Sequence, residues 1–258
     1  MGFAYEQLKS RTTPGAEVIE VKPGTRRLEI PRGSGGAYRL AQLDDYGTLT
    51  RSKFPWRPPM QLSLCVRAAA IEIPGTWGFG LWNDPFSMAI RAGGGKMRIP
   101  ALPNASWFFH ASPPNHLSIE DHLPDRGWFA ATYRSTFRIH PLLWIGAAAL
   151  PLLAIPPAVR FFRHLARRFI QQDGAEITAS PTAWHTYRLD WDADCMRFEC
   201  DSQPVLETKV APLGPLGLVI WVDNTYAAIP PNGRFRYGTM ENPEPAWIEV
   251  RDLSIRHL

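Results

Sequence analysis

Four side chains capable of acid–base chemistry lie close to aromatic segments of this chain. Asp84 follows Trp82 by two residues, His110 ends the run SWFFH, and Glu120 and Asp121 are adjacent in HLSIEDHLPD. Carboxylates or an imidazole at the edge of an apolar cleft can act as general acid and base, because burial moves their pKa values toward neutrality. His110, His116, Glu120, Asp121 and His122 also form the densest run of metal-binding side chains, with His116 and Glu120 four apart. That spacing serves a metal on a helix. Pro113, Pro114 and Pro124 frame a loop instead, so no metal site and no cofactor is expected. Gly93-Gly94-Gly95-Lys96 has neither the length of a phosphate loop nor the Ser or Thr that follows its lysine, and reads as a hairpin turn. Ser106 and Ser112 flank His110 without the Gly-x-Ser-x-Gly elbow of a hydrolase.

A second set of residues suits binding rather than reaction. Trp77, Trp82, Trp107, Trp128 and Trp221 are accompanied by Phe108 and Tyr226, and Asn83, Asp223 and Asn224 place amides and a carboxylate beside the indoles. Such a lining stacks on sugar faces or wraps an apolar ligand, while a few polar groups fix orientation. The competing use of the same rings is core packing.

The elements that must position these residues are mostly short strands. EVIEVKPGTRRLEI is two β-branched runs around a Pro-Gly turn; YRLAQL, QLSLCVRA, TWGFGLW and SWFFHA follow, and later WHTYRLDW, LGLVIWVDN and WIEVRDLSI. MRFECDSQPVLET reads as two runs about a turn. The expectation is an all-β sandwich in one domain over 1–258, because no period of twenty to fifty residues marks a solenoid or propeller. Helical periodicity is confined to an insertion at about 141–172. There PLLWIGAAALPLLAIPPAV is free of charge, and RFFRHLARRFIQQ repeats Phe161, Leu165 and Phe169 at i, i+4 and i+8.

The composition, 45% hydrophobic and 20% charged, supports a real core and excludes disorder. The formal net charge of +4 equals the contribution of Arg160, Arg163, Arg167 and Arg168, so the basic character is local and a nucleic-acid partner is not expected. Cys65, Cys195 and Cys200 are too few for a disulfide framework and point to a reducing compartment. Glu6 and Lys9 stand where a signal peptide needs an apolar run, which gives the expectation of a cytoplasmic location.

WHTYRLDWDADCMRFECDSQPVLET, PLGLVIWVDN, IEVRDLSI and GTWGFGLWNDPF together resemble the concanavalin A-like lectin/glucanase superfamily, especially glycoside hydrolase family 16. The likeness runs from about Tyr38 to Ile255 and implies a concanavalin A-like jelly roll into which 141–172 is inserted. The family's hydrolases carry Glu-x-Asp-x-x-Glu or Glu-x-Asp-x-Glu on the strand after the Leu-Trp strand, with the two catalytic carboxyls about 5–5.5 Å apart. The corresponding run here, Ser106-Trp107-Phe108-Phe109-His110-Ala111, has no carboxylate. The resemblance therefore implies a cleft without its hydrolytic pair.

The leading expectation is a non-hydrolytic protein that holds a lipophilic or glycolipid ligand in an aromatic cleft. It would dock on the inner face of the membrane through Trp144 and the four arginines, since an apolar segment with basic flanks suits an anionic surface. The insertion is expected not to span the bilayer, because Pro151, Pro156 and Pro157 break a continuous helix. Two enzymatic alternatives stand beside it. One is a glycosidase with acids relocated to Glu120 and Asp121. The other is a cyclase or isomerase for an apolar substrate, using His110 or Asp84 as acid or base. Oligomeric state is left open.

Overall fold

Period-two alternation of apolar and polar residues builds sheets, and here it builds two. In the computed structural model the described residues are 7–85, 98, 101–135 and 150–258. Trp144, the rest of 141–149 and the expected turn at Gly93–Lys96 lie outside them. The chain opens with β1 (Lys9–Thr12), β2 (Glu17–Lys22) and β3 (Thr25–Ile30), the last two joined at the Pro23-Gly24 turn. Next come β4 (Leu40–Asp44), β5 (Met60–Ala68), β6 (Thr76–Trp82), β7 (Ala105–Ala111) and β8 (Gly127–Ser135). A 3-10 turn, Leu150–Ala154, leads to helix α1 (Pro156–Phe169), which runs straight into β9 (Ile170–Glu176). Then β10 (His185–Trp191), β11 (Met196–Cys200), β12 (Gln203–Thr208) and β13 (Gly217–Asp223) precede a small hairpin, β14 (Thr225–Ala228) with β15 (Arg236–Thr239), and the closing β16 (Ala246–His257).

Two seven-stranded antiparallel sheets result. The first has the order β1-β4-β13-β6-β7-β8-β9, the second β12-β11-β10-β5-β16-β3-β2. Trp77, Phe79 and Leu81 of β6, Phe108 of β7, Trp128 of β8, and Tyr187, Trp191 and Phe198 of the second sheet fill the space between them. Phe108 lies 5.0 Å from Tyr187 and 5.3 Å from Phe198, measured between ring centroids. The opposite face of the first sheet carries a second apolar cluster, described below.

The insertion differs from its expected form in two ways. The helix ends at Phe169, and Ile170–Gln172 belong to the edge strand β9, because Ile170 adopts extended backbone and pairs with Ser135. The helix is also rotated from the Phe161–Leu165–Phe169 face: Val159 and Arg163 are its buried residues, and Phe161 is 60% exposed. Arg163 turns inward because the buried carbonyl of Ser118 and the partly buried one of Ile229 accept its donors, and that outweighs burial of one phenyl ring. Pro156 and Pro157 start the helix, where an amide N–H has no intrahelical partner to lose. No helix among the described residues is long and apolar enough to cross a membrane.

Candidate functional site

The outer face of the first sheet is an aromatic floor. Alternation along β6, β7 and β13 sends Trp82, Trp107, Phe109, Val219 and Trp221 to this side. Trp107 is central, its ring 5.9 Å from both Trp82 and Trp221 and 5.5 Å from Phe109. Tyr133 of β8 meets Trp107 edge-on at 5.9 Å, and Phe109 lies 5.6 Å from Phe129. Two glycines of β6 make room for the indoles. A Cβ on Gly78 would stand 2.8 Å from Trp221 Cη2, and one on Gly80 would stand 2.7 Å from Trp107 Cβ. Trp82 and Trp107 remain partly exposed, whereas Trp221 and Phe109 are buried beneath their neighbours.

A polar relay fixes one end of the floor. Trp221 Nε1 donates to Thr76 Oγ1 at 3.0 Å, and the same hydroxyl donates to Asp223 Oδ1 at 2.7 Å. Asp223 also accepts from Thr225 Oγ1 at 2.9 Å and from Thr225 N. Burial raises its carboxyl to about 6, and these hydrogen bonds restrain the rise. Tyr38 lies against it, and burial together with the Asp223 charge holds that phenol well above the ordinary tyrosine range.

One wall of the site is the loop 112–126 clamped by α1. Arg163 Nη1 donates to Ser118 O at 2.6 Å and Ile229 O at 2.7 Å, and its Nη2 pairs with Asp121. Arg167 reaches Ile119 O at 2.9 Å, Asp121 at 2.8 Å and Glu120 at 3.5 Å. Gln172 of β9 completes the brace: its Oε1 accepts from Ile119 N, and its Nε2 donates to Tyr133 Oη. Hydrogen bonds from Arg167 and Arg163 hold the Asp121 carboxyl below the usual range.

Of the expected acid–base residues, none opens onto the floor as a free group. His110 faces the inter-sheet core, stacks on Trp77 at 5.5 Å, and is lowered by burial to about 4, so it is a neutral packing residue. Asp84 is paired with Arg98, which also donates to the carbonyls of Tyr46, Gly47 and Leu49 and so ties this turn to the loop after β4. Glu120 and Asp121 serve the clamp. His116 pairs with Asp125, so the candidate ligand run is dispersed.

The binding set divides by face. Trp82, Trp107 and Trp221 come together on the floor with Asp223 at its end, while Trp77, Phe108 and Trp128 are core, a correction that follows from which side of each strand meets the second sheet. Asn83 and Asn224 are spent on backbone: Asn83 bonds Leu102 O and Asn104 N, and Asn224 bonds Arg39 N, Ala37 O and Met240 O. Tyr226 sits on the separate β14–β15 hairpin. Arg163 and Arg167 are engaged internally, a correction to their expected membrane role, whereas Arg160 and Arg168 are exposed. Phe109, Phe129, Tyr133 and Thr76 complete the floor and were absent from the sequence expectation. Alternation had already put Phe109 opposite Phe108; only the second sheet decides which side is open.

No family model matches the sequence, and no curated protein matches it. Solved structures do. A LamA variant from Zobellia galactanivorans in complex with laminaritriose and laminaritetraose aligns at a TM-score of 0.51 and 12% identity, covering 99% of this chain and 97% of that one. The fold is the concanavalin A-like β-sandwich. A glycoside hydrolase family 16 endo-glucanase from Bacteroides ovatus aligns at 0.50 and 10% identity, covering 100% and 99%. A GlcNAcα1-4Gal-releasing endo-β-galactosidase from Clostridium perfringens aligns at 0.52 and 10% identity over 99% of this chain and 60% of that one. At such identities the likeness is one of fold.

Proposed function

We propose that this chain binds a glycan on the outer face of the first sheet without hydrolysing it. The observation that carries this reading is the outer face of β7. Trp107, partly exposed, and Phe109, buried beside it, stand there, on the strand where the glucanase resemblance implies paired carboxylates. A retaining mechanism needs two carboxyls about 5–5.5 Å apart, and Asp84, Glu120 and Asp121 are all tied to arginines. The indole of Trp107, flanked by Trp82, offers a platform for a sugar face. The fold-level likeness to a LamA variant in complex with laminaritriose and laminaritetraose names the first probes.

The test is titration of tryptophan fluorescence with these two oligosaccharides and a wider glycan panel, alongside a reducing-end assay. Saturable binding weakened at least about tenfold by Trp107→Ala, about 1.4 kcal/mol, with no reducing ends released, is expected. Release of reducing ends, or affinity indifferent to both Trp107→Ala and Trp82→Ala, overturns the reading.

A glycolipid presented at an anionic surface is the second reading, favoured by the exposure of Leu152, Ile155 and Phe161 beside Arg160 and Arg168. Two exposed arginines contribute about 1 kcal/mol each near such a surface. Flotation with anionic but not neutral vesicles, lost on Phe161→Glu with Arg160→Glu, supports it; no flotation removes it and leaves a free glycan.

A further inference from the structure

The tight turn between β11 and β12 gathers three metal-binding side chains far from the aromatic floor. Asp201 and Ser202 both take left-handed backbone, with φ of 50° and 63°, so the chain reverses within two residues. Asp201 is then held against the start of β10: its Oδ1 accepts from Thr186 N at 2.8 Å, and its Oδ2 lies 2.6 Å from His185 Nδ1. Cys200, paired with Tyr187 across the ladder, is buried beside them. One donor atom from each of His185, Cys200 and Asp201 lies within 4.8 Å of the other two. His185 also keeps its second ring nitrogen, Nε2, buried without a hydrogen-bond partner.

We propose that His185, Cys200 and Asp201 bind a divalent transition metal of the zinc type, with water completing the coordination. A thiol, an imidazole and a carboxylate run from soft through borderline to hard, and the sulfur and nitrogen donors favour Zn²⁺ or Co²⁺ over Ca²⁺ or Mg²⁺. Metal–ligand bonds of about 2.0–2.3 Å in a tetrahedral site set neighbouring donors about 3.3–3.7 Å apart. The ion therefore takes the place of the His185–Asp201 hydrogen bond, whose 2.6 Å opens, while the wider separations of up to 4.8 Å close; both changes need only rotation of the His185 and Asp201 side chains. The Asp201 side chain is 51% exposed and gives the ion a path from solvent. Binding exchanges the Cys200 thiol proton for the cation, and the proton leaves to bulk water. The local spacing of the sequence gives no hint of this site, because His185 lies on the neighbouring strand.

The full chain is titrated with Co²⁺ and then Zn²⁺. The expected result is one ion per chain, a thiolate-to-cobalt charge-transfer band in the near ultraviolet, and loss of that band on adding Zn²⁺. Cys200→Ser abolishes the band, and His185→Gln weakens binding at least about tenfold, while Cys65→Ser and Cys195→Ser leave both unchanged. His185→Gln, at a partly exposed position and checked by circular dichroism, keeps the test sound if Cys200→Ser misfolds. Zn²⁺ also raises the Tm of the parent protein and not that of His185→Gln. Absence of the band, its persistence in folded Cys200→Ser, or its loss only in Cys195→Ser overturns the proposal.

Discussion

Replacing Arg163 by Met asks whether the inserted helix is docked by its guanidinium or merely rests on the sandwich. Arg163 is 7% exposed and donates to Ser118 O and Ile229 O. A hydrogen bond to a charged group contributes about 1.5–3 kcal/mol, and a buried carbonyl left unpaired adds its own penalty. Ile229 is 39% exposed, so water replaces part of that bond. The ion pair to Asp121 adds little, since that carboxylate is half in solvent and such pairs contribute about 0–1 kcal/mol. The sum for Arg163→Met is a loss of about 3–4 kcal/mol, against about 0–1 for Asp121→Asn. Urea denaturation measures both, and limited proteolysis of 112–126 reports whether the loop is released first. A loss below about 1 kcal/mol, or equal losses for the two variants, would refute a clamp made by the carbonyls and return the arginine face to an external role.

Asp223→Asn removes a titration. The folded carboxyl sits at about 6 and the unfolded one near 3.9, so the folded state holds the proton more tightly and stability falls as pH rises from about 4 to 6. The cost is complete by pH 7 at roughly 3 kcal/mol, and the Asn variant has a flatter profile of Tm across that window; an unchanged slope contradicts the assignment. Gly78→Ala pushes a methyl into Trp221 and Phe108 O, so it lowers stability by about 1–3 kcal/mol and shifts tryptophan emission; an unaltered melting curve counts against the glycine–indole contact. Phe108→Ala costs about 3–5 kcal/mol and Phe161→Ala less than about 0.5, a contrast that denaturant midpoints read and that comparable losses would deny.

The fold class was legible because a strand records its two faces in every second residue. Pro23-Gly24 and Asp201-Ser202 mark their turns by chemistry that acts within a few residues. Alternation also separates Trp107 and Phe109 from Phe108 and His110. It leaves undecided which of those sets meets the other sheet, because each face of β7 carries a large aromatic ring, and the face that is buried against the second sheet is the more polar one, Ser106, Phe108 and His110. The tertiary structure decides that Phe108, Trp77, Trp128 and His110 are interior and that Trp107, Trp82 and Trp221 form the floor. Helical periodicity located the amphipathic part of the insertion, yet its rotation was set by Ser118 O and Ile229 O, carbonyls brought from distant loops. The convergence of His185 with Cys200 and Asp201 depends likewise on the pairing of β10 with β11. Local sequence determined the elements and their periodic faces, since those follow from backbone geometry over a few residues. Burial, ion pairing and the meeting of side chains were decided only by the folded chain, because each depends on what the neighbouring layer supplies.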